Sequence, residues 1–125
     1  MRPGVSASRL NLHIETLRKR AEFVAIAKSG ARGIAHSVTI QTRKGGPEQT
    51  AIRLGFTATK KFGNAVARNR AKRRLRHAIR AVLAEKSIAP HDLVLIAREA
   101  LPARDYQTLL QDLRYCLRKA GAYHD

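Results

Sequence analysis

Between Glu48 and Glu85 there are ten Lys and Arg residues and no acid, and seven of the ten fall in the thirteen positions from Arg68 to Arg80. At a helical period of about 100° per residue, Ala67, Ala71, Leu75, Ala78, Ile79 and Val82 gather in an arc of about 120°, wide enough to bury one side of a helix. Asn69, Arg73, Arg76 and Arg80 project near the centre of the opposite side, with Lys72 on one flank and Arg70 and Arg74 towards the other. Such a helix must rest its apolar side on another layer and turn its cations outward. Ordinary solvated helices mix signs, because like charges four residues apart repel. An unbroken run of one sign therefore predicts a polyanionic partner. Arg68 is the exception: its angle sets it between Leu75 and Ile79, where pairing with a buried acceptor and direct contact with a polyanion stand as equal alternatives.

The whole chain carries the same bias, with 25 basic against 9 acidic residues and a net charge of +16 on 125 residues. A surface of that charge binds nucleic acid through counterion release whatever its fold. A membrane is the other common polyanion, but no apolar run reaches the ~18 residues that spanning requires. Met1–Arg9 has no signal-peptide core, which predicts a cytoplasmic protein. The single Cys116 has neither a disulfide partner nor zinc-ligand spacing and reads as a buried or half-buried filler. With 44% hydrophobic residues the chain can bury one modest core. Three Phe and three Tyr leave little for base stacking, so affinity should come mainly from phosphate contacts.

Leu17 to Lys28 has near-helical spacing of Leu17, Phe23, Ile26 and Ala27, stopped by Ser29 and Gly30. Ser37 to Thr42 alternates as a half-buried strand, Gly45, Gly46 and Pro47 supply a turn, and Ile52, Leu54, Phe56 and Ala58 alternate with polar residues as the clearest strand. These two strands are expected to pair as an antiparallel hairpin. Gly63 and Asn64 form a breaker and a cap, so the basic helix should run from Ala65 to about Glu85. Asp92 to Ala97 is apolar on both faces and should occupy the middle of the sheet. After Pro102, a stripe of Tyr106, Leu109, Leu110, Leu113 and Leu117, with Asp105 before it and Gly121 after it, predicts a helix packed on the sheet. The expected organisation is a mobile basic tail over residues 1–16, one nucleic-acid-binding α/β domain over 17–121, and a short tail over 122–125.

The stretch from Arg53 to Arg80, Arg-Leu-Gly-Phe-Thr-Ala-Thr-Lys-Lys-Phe-Gly-Asn-Ala-Val-Ala-Arg-Asn-Arg-Ala-Lys-Arg-Arg-Leu-Arg-His-Ala-Ile-Arg, closely resembles the signature of the bacterial ribonuclease P protein subunit. In that family a strand leads through Lys-Lys-x-Gly-Asn-Ala-Val into Arg-Asn-Arg-x-Lys-Arg-x-x-Arg on a helix. The likeness extends from about Leu17 to Ala120. It implies an α+β fold: a two-layer α/β sandwich with a central, mostly antiparallel sheet of about four strands and a left-handed crossover carrying the basic helix, as in ribosomal-protein-like folds. It implies a cytoplasmic bacterial protein that joins a large catalytic RNA and helps it remove the 5′ leader of precursor tRNA, the RNA doing the cutting. No catalytic residue, metal site or cofactor is then expected in the chain itself, and magnesium ions would be held through the RNA.

By the same resemblance, Lys60, Lys61, Asn64, Arg68, Asn69, Arg70, Lys72, Arg73, Arg76 and Arg80 would bind the catalytic RNA. Phe23, Arg53 and Phe56 are assigned to a cleft between the first helix and the sheet that holds the single-stranded leader. Ala27, Val38 and Gln41 stand where other members carry cleft aromatics, which implies weaker or more polar leader contacts. The alternative is a ribosomal or other structural RNA-binding protein, equally small and basic but without the signature. A DNA-binding protein would show a helix-turn-helix or a basic region running into heptads, and a nuclease acting alone would need clustered carboxylates or paired His near the basic face. The basic face is the part of the chain emptiest of acids.

Overall fold

A computed structural model describes residues 13–86 and 88–123. Five strands, β1 (Ile14–Thr16), β2 (Ala31–Ile34), β3 (Val38–Lys44), β4 (Ile52–Ala58) and β5 (His91–Ala97), form one sheet in the order β1-β4-β5-β3-β2. Three helices accompany it: α1 (Arg20–Lys28), α2 (Ala65–Glu85) and α3 (Tyr106–Lys119), with a 3-10 turn at Leu101–Ala103. The α+β class is as expected, but there are five strands, and the pairings divide evenly: β1 with β4 and β4 with β5 are parallel, β3 with β5 and β2 with β3 antiparallel.

The expected hairpin between the second and third of the foreseen elements does not form, because β5 inserts between β3 and β4. The reason lies in β5 itself. Leu93, Leu95 and Ala97 point to one face and Val94 and Ile96 to the other, so the strand needs a neighbour at both edges and cover on both sides. A parallel β4–β5 pair in turn requires a long crossover, and α2 is that crossover.

One face of the sheet carries the main core. Val38, Ile40, Ile52, Leu54, Leu93 and Leu95 meet Leu75, Ile79 and Val82 of α2 and Leu109, Leu113 and Leu117 of α3, all buried. The foreseen arc of α2 is the buried one, except that Ala67 stays half-exposed and Leu83 joins the core. Cys116 is buried there too, its thiol donating towards the Val38 carbonyl at 3.6 Å. Burial pushes that thiol up to about 12, as suits a filler. The reverse face is covered in part by α1 and the segment before it, through Phe23 and Ile26 of the helix and Leu17 ahead of it on Val94 and Ile96. The helix begins at Arg20 rather than Leu17, whose N–H instead bonds the Leu54 carbonyl at 2.8 Å and anchors the chain to β4.

Two boundaries shift. Ile14–Thr16, placed with the tail on sequence grounds, pairs in register with Ile52–Leu54 as β1; the rest of the expected tail, residues 1–12, lies outside the described residues. Ala122 and Tyr123, also assigned to a tail, are buried, and both donate to the Leu117 carbonyl to close α3. Residues 124 and 125 lie outside the described residues.

Candidate nucleic-acid interface

The strand-to-helix turn explains why α2 starts where it does. Gly63 has φ +136°, a conformation that favours glycine, and Asn64 follows in extended geometry with its side-chain oxygen accepting from Ala67 N–H at 2.9 Å. No acid occupies the first turn, so the positive end of the helix dipole adds to Lys60 and Lys61, both exposed on the turn. Asn64, assigned to RNA by resemblance, thus has a structural task as the cap.

The cations of α2 divide into two groups. Arg68 donates to the Thr59 carbonyl at 2.8 Å and the Ala58 carbonyl at 3.0 Å, tying the helix to the end of β4. Arg74 donates to the Leu101 carbonyl at 2.7 Å and to the Arg104 carbonyl, tying it to the 3-10 turn. Arg76 lies over the Phe56 ring at 5.1 Å, a cation–π contact that still leaves it exposed. Lys60, Lys61, Asn69, Arg70, Lys72, Arg73 and Arg80 make no hydrogen bond or ion pair among the described residues, and all but the half-exposed Lys72 are exposed.

Elsewhere among the described residues, four arginines are paired with acids. Arg43 and Arg53 flank Asp92, Arg53 also reaches Glu22, Arg104 holds Asp112 and Arg114 holds Glu85. The hydrogen bonds that Arg53 donates to Asp92 lead the effects that raise it further above its usual range. Glu22, Glu85, Asp92 and Asp112 are the acids paired with arginines among the described residues, and α2 carries no acid before Glu85 at its last position.

The reverse face holds a hollow between α1 and the sheet. It measures about 350 Å3 and is lined by Arg20, Phe23, Val24 and Ala27 of α1 and by Gln41, Thr57, Val94 and Ile96 of the sheet. The Phe23 ring lies against bare backbone: a Cβ built on Gly55 would come within 2.6 Å of its Cζ. Phe23, Ala27 and Gln41 are therefore brought together as expected. Arg53 shares this face but is locked between Asp92, at 2.8 Å, and Glu22, at 2.7 Å. Phe56 and Val38 are corrections. Both pack on the opposite face, Val38 fully buried and Phe56 against the main core beneath Arg76. Strand parity carried that signal, since Phe56 alternates in phase with Leu54 and Val38 with Ile40. The lining residues Arg20, Val24, Thr57, Val94 and Ile96 were not foreseen, because they depend on which strand lies beside α1.

The sequence model of the family described as Ribonuclease P matches residues 13–121. The chain belongs to the ribonuclease P protein family. It is 48% identical over 124 residues to the ribonuclease P protein component of Ruegeria pomeroyi, covering 98% of each chain. It is 46% identical over 105 residues to that of Gluconacetobacter diazotrophicus, covering 84% of this chain and 90% of the other. Among solved structures, the Staphylococcus aureus ribonuclease P protein superposes with a TM-score of 0.72 at 28% identity, over 87% of this chain and 97% of that one. The Thermotoga maritima protein does so at 0.66 and 31%, over 79% and 91%. Family membership makes the chain the protein subunit of a ribonucleoprotein endoribonuclease that matures tRNA 5′ ends.

Proposed function

We propose that the two faces of the sheet divide the work: the outer face of α2 and the β4–α2 turn bind the catalytic RNA, and the α1 cleft takes the 5′ leader of precursor tRNA. The observation that carries this reading is the selective pairing of charge. Every ion pair found among the described residues lies outside α2, apart from Glu85 at its last position, while seven polar or cationic side chains of the turn and helix stay unpartnered beside a helix N-terminus. In this reading Lys60, Lys61, Asn69, Arg70, Lys72, Arg73 and Arg80 meet phosphates directly, Arg76 does so over Phe56, and Asn64 and Arg68 hold the surface in place.

The chemistry belongs to the RNA in this proposal, as does magnesium. The carboxylates with defined partners are already committed, Asp92 alone accepting from Arg43, Arg53 and Gln49, and among the described residues no three His, Cys, Asp or Glu stand together as ligands. No helix of the described residues is long and apolar enough to cross a membrane; a cytoplasmic location, alongside precursor tRNA, is part of the proposal.

In the cleft, Phe23 is the one aromatic lining residue among the described residues, with Ala27 and Gln41 beside it. Affinity for precursor tRNA should therefore rise with leader length in one modest step, at the nucleotide that reaches Phe23. Phe23→Leu keeps the apolar filling and removes the stacking face, so it should weaken binding of a leader-bearing precursor on the order of tenfold. Mature tRNA should bind the holoenzyme unchanged. Titration of the parent and Phe23→Leu against precursors of increasing leader length checks this, and equal losses for precursor and mature tRNA would place Phe23 in the scaffold.

A further inference from the structure

Beside the first turns of α2 lies a second hollow, of about 380 Å3, towards the small end of the range for ligand pockets. Its walls are apolar: Phe62 from the β4–α2 turn, Ala67 and Ala71 from α2, and Leu101 and Pro102 from the 3-10 turn. Two arginines complete it, with different standing. Arg74 is fixed by the carbonyls of Leu101 and Arg104 and so belongs to the wall. Arg70 is exposed and makes no hydrogen bond or ion pair among the described residues. The chain has only three Phe. Phe56 lies beneath Arg76 and Phe23 lines the α1 cleft, which leaves the half-buried ring of Phe62 at this hollow.

An apolar slot with an aromatic wall and one free cation at its rim suits a flat, uncharged ring joined to a phosphate. We infer that the hollow receives one unpaired nucleobase of the catalytic RNA, packed on Phe62, with an adjoining phosphate on Arg70. The inference rests on the reading that the outer face of α2 binds that RNA, and it adds a base-specific contact to a surface otherwise made of phosphate contacts. Charge favours a nucleotide over an apolar side chain from a protein. Lys60, Lys61, Arg70 and Arg73 are unpaired cations of the same turn and helix, and each nucleotide brings its own negative charge to them, whereas an apolar peptide residue would leave them unrelieved. The leader is not the occupant, because its cleft lies on the reverse face of the sheet.

The test uses the full chain with a bacterial ribonuclease P RNA. Ala67→Leu fills the hollow from a good helix former without removing a charge, and Phe62→Leu removes the ring while keeping apolar bulk. Binding is measured across a salt series, and base reactivity of the RNA is mapped by chemical probing with and without protein. Each variant should bind on the order of tenfold more weakly, with the slope of log affinity against log salt unchanged. The same single nucleotide should lose its protection in both, while the rest of the footprint persists.

Ala67→Leu binding as tightly as the parent with a complete footprint would overturn the inference, whether the hollow is empty in the complex or serves a protein. Should Ala67→Leu lower the melting temperature, Phe62→Leu decides by the same nucleotide. A parent chain whose affinity did not depend on salt would refute the RNA-binding reading of α2 and this inference together; a steep parent with an unaffected Ala67→Leu would refute this inference alone.

Discussion

A chain with Lys60, Lys61, Arg70, Arg73 and Arg80 all replaced by Ala is expected to fold at least as stably as the parent and to bind the catalytic RNA on the order of a thousandfold more weakly. None of the five side chains makes a hydrogen bond, ion pair or ring contact among the described residues. Like charges crowd here: Arg70 and Arg73 stand three apart on α2, and Arg80 stands four from the retained Arg76, so shortening Arg70, Arg73 and Arg80 relieves like-charge strain. In the complex each cation displaces roughly one counterion from a phosphate, and the slope of log affinity against log salt should therefore fall by about four. Melting curves of the free protein and RNA titrations at several salt concentrations check both halves. A lower melting temperature would return these residues to the scaffold. By contrast, Arg68 and Arg74 hold backbone carbonyls, and their replacement should weaken the fold first and RNA binding as a consequence.

Asp92→Ala should destabilise the protein by about 3 kcal/mol, the low end for breaking a buried charge pair. Asp92 stands between two cross-strand partners, Arg43 on β3 and Arg53 on β4. Its oxygens accept from both guanidiniums at 2.8 Å and from Gln49 at 3.0 Å, and the residue is 1% exposed. The effect stays at the low end because the arginines keep some access to water and can be rehydrated when the carboxylate is gone.

Burial alone would raise the Asp92 carboxyl, but the bonds from Arg53, Arg43 and Gln49 outweigh it and hold the group at about 2, against an ordinary 3.8. Between those values the unfolded chain binds the proton and the folded chain does not. The contribution, about 2 kcal/mol, is therefore complete above pH 3.8 and is lost as pH falls through about 2. Asp112, partly buried but bonded by Arg104 and Ser37, and Glu85, bonded by Arg114, are also held low and push the same way. Urea unfolding from pH 7 down to pH 2 should show the parent losing stability across that window and Asp92→Ala losing distinctly less. A variant as stable as the parent at neutral pH would remove Asp92 from the account.

The basic helix was legible because every cue for it is local. Asn64 caps it, no Gly or Pro interrupts it, and its apolar and cationic residues separate by angle alone. Arg68 could be singled out for the same reason. The capture of Arg74 could not, since its acceptors belong to the 3-10 turn at Leu101–Ala103, which has no pattern of its own. Strand β5 declared its central place through apolar residues on both faces, yet not which strands it would separate; pairing order is set by long-range contacts.

The two short edge strands escaped notice for different reasons. Three residues of β1 are too few to show a period. β2 carries Gly33 in its interior, which weakens the strand signal, because the backbone of α3 at Cys116 packs so closely that a side chain there would collide with it. In the cleft, Phe23 was identifiable by resemblance. Phe56 and Val38 were misassigned where resemblance was followed against the alternation of the strand.

The central claim is that this chain works only as the partner of a catalytic RNA. Cleavage of a precursor tRNA at low magnesium tests it most directly, with the chain alone, a bacterial ribonuclease P RNA alone, and the two combined. The account predicts release of the 5′ leader in the combined reaction only. Cleavage by the chain alone, or tight binding of the RNA with no stimulation of cleavage, would contradict it.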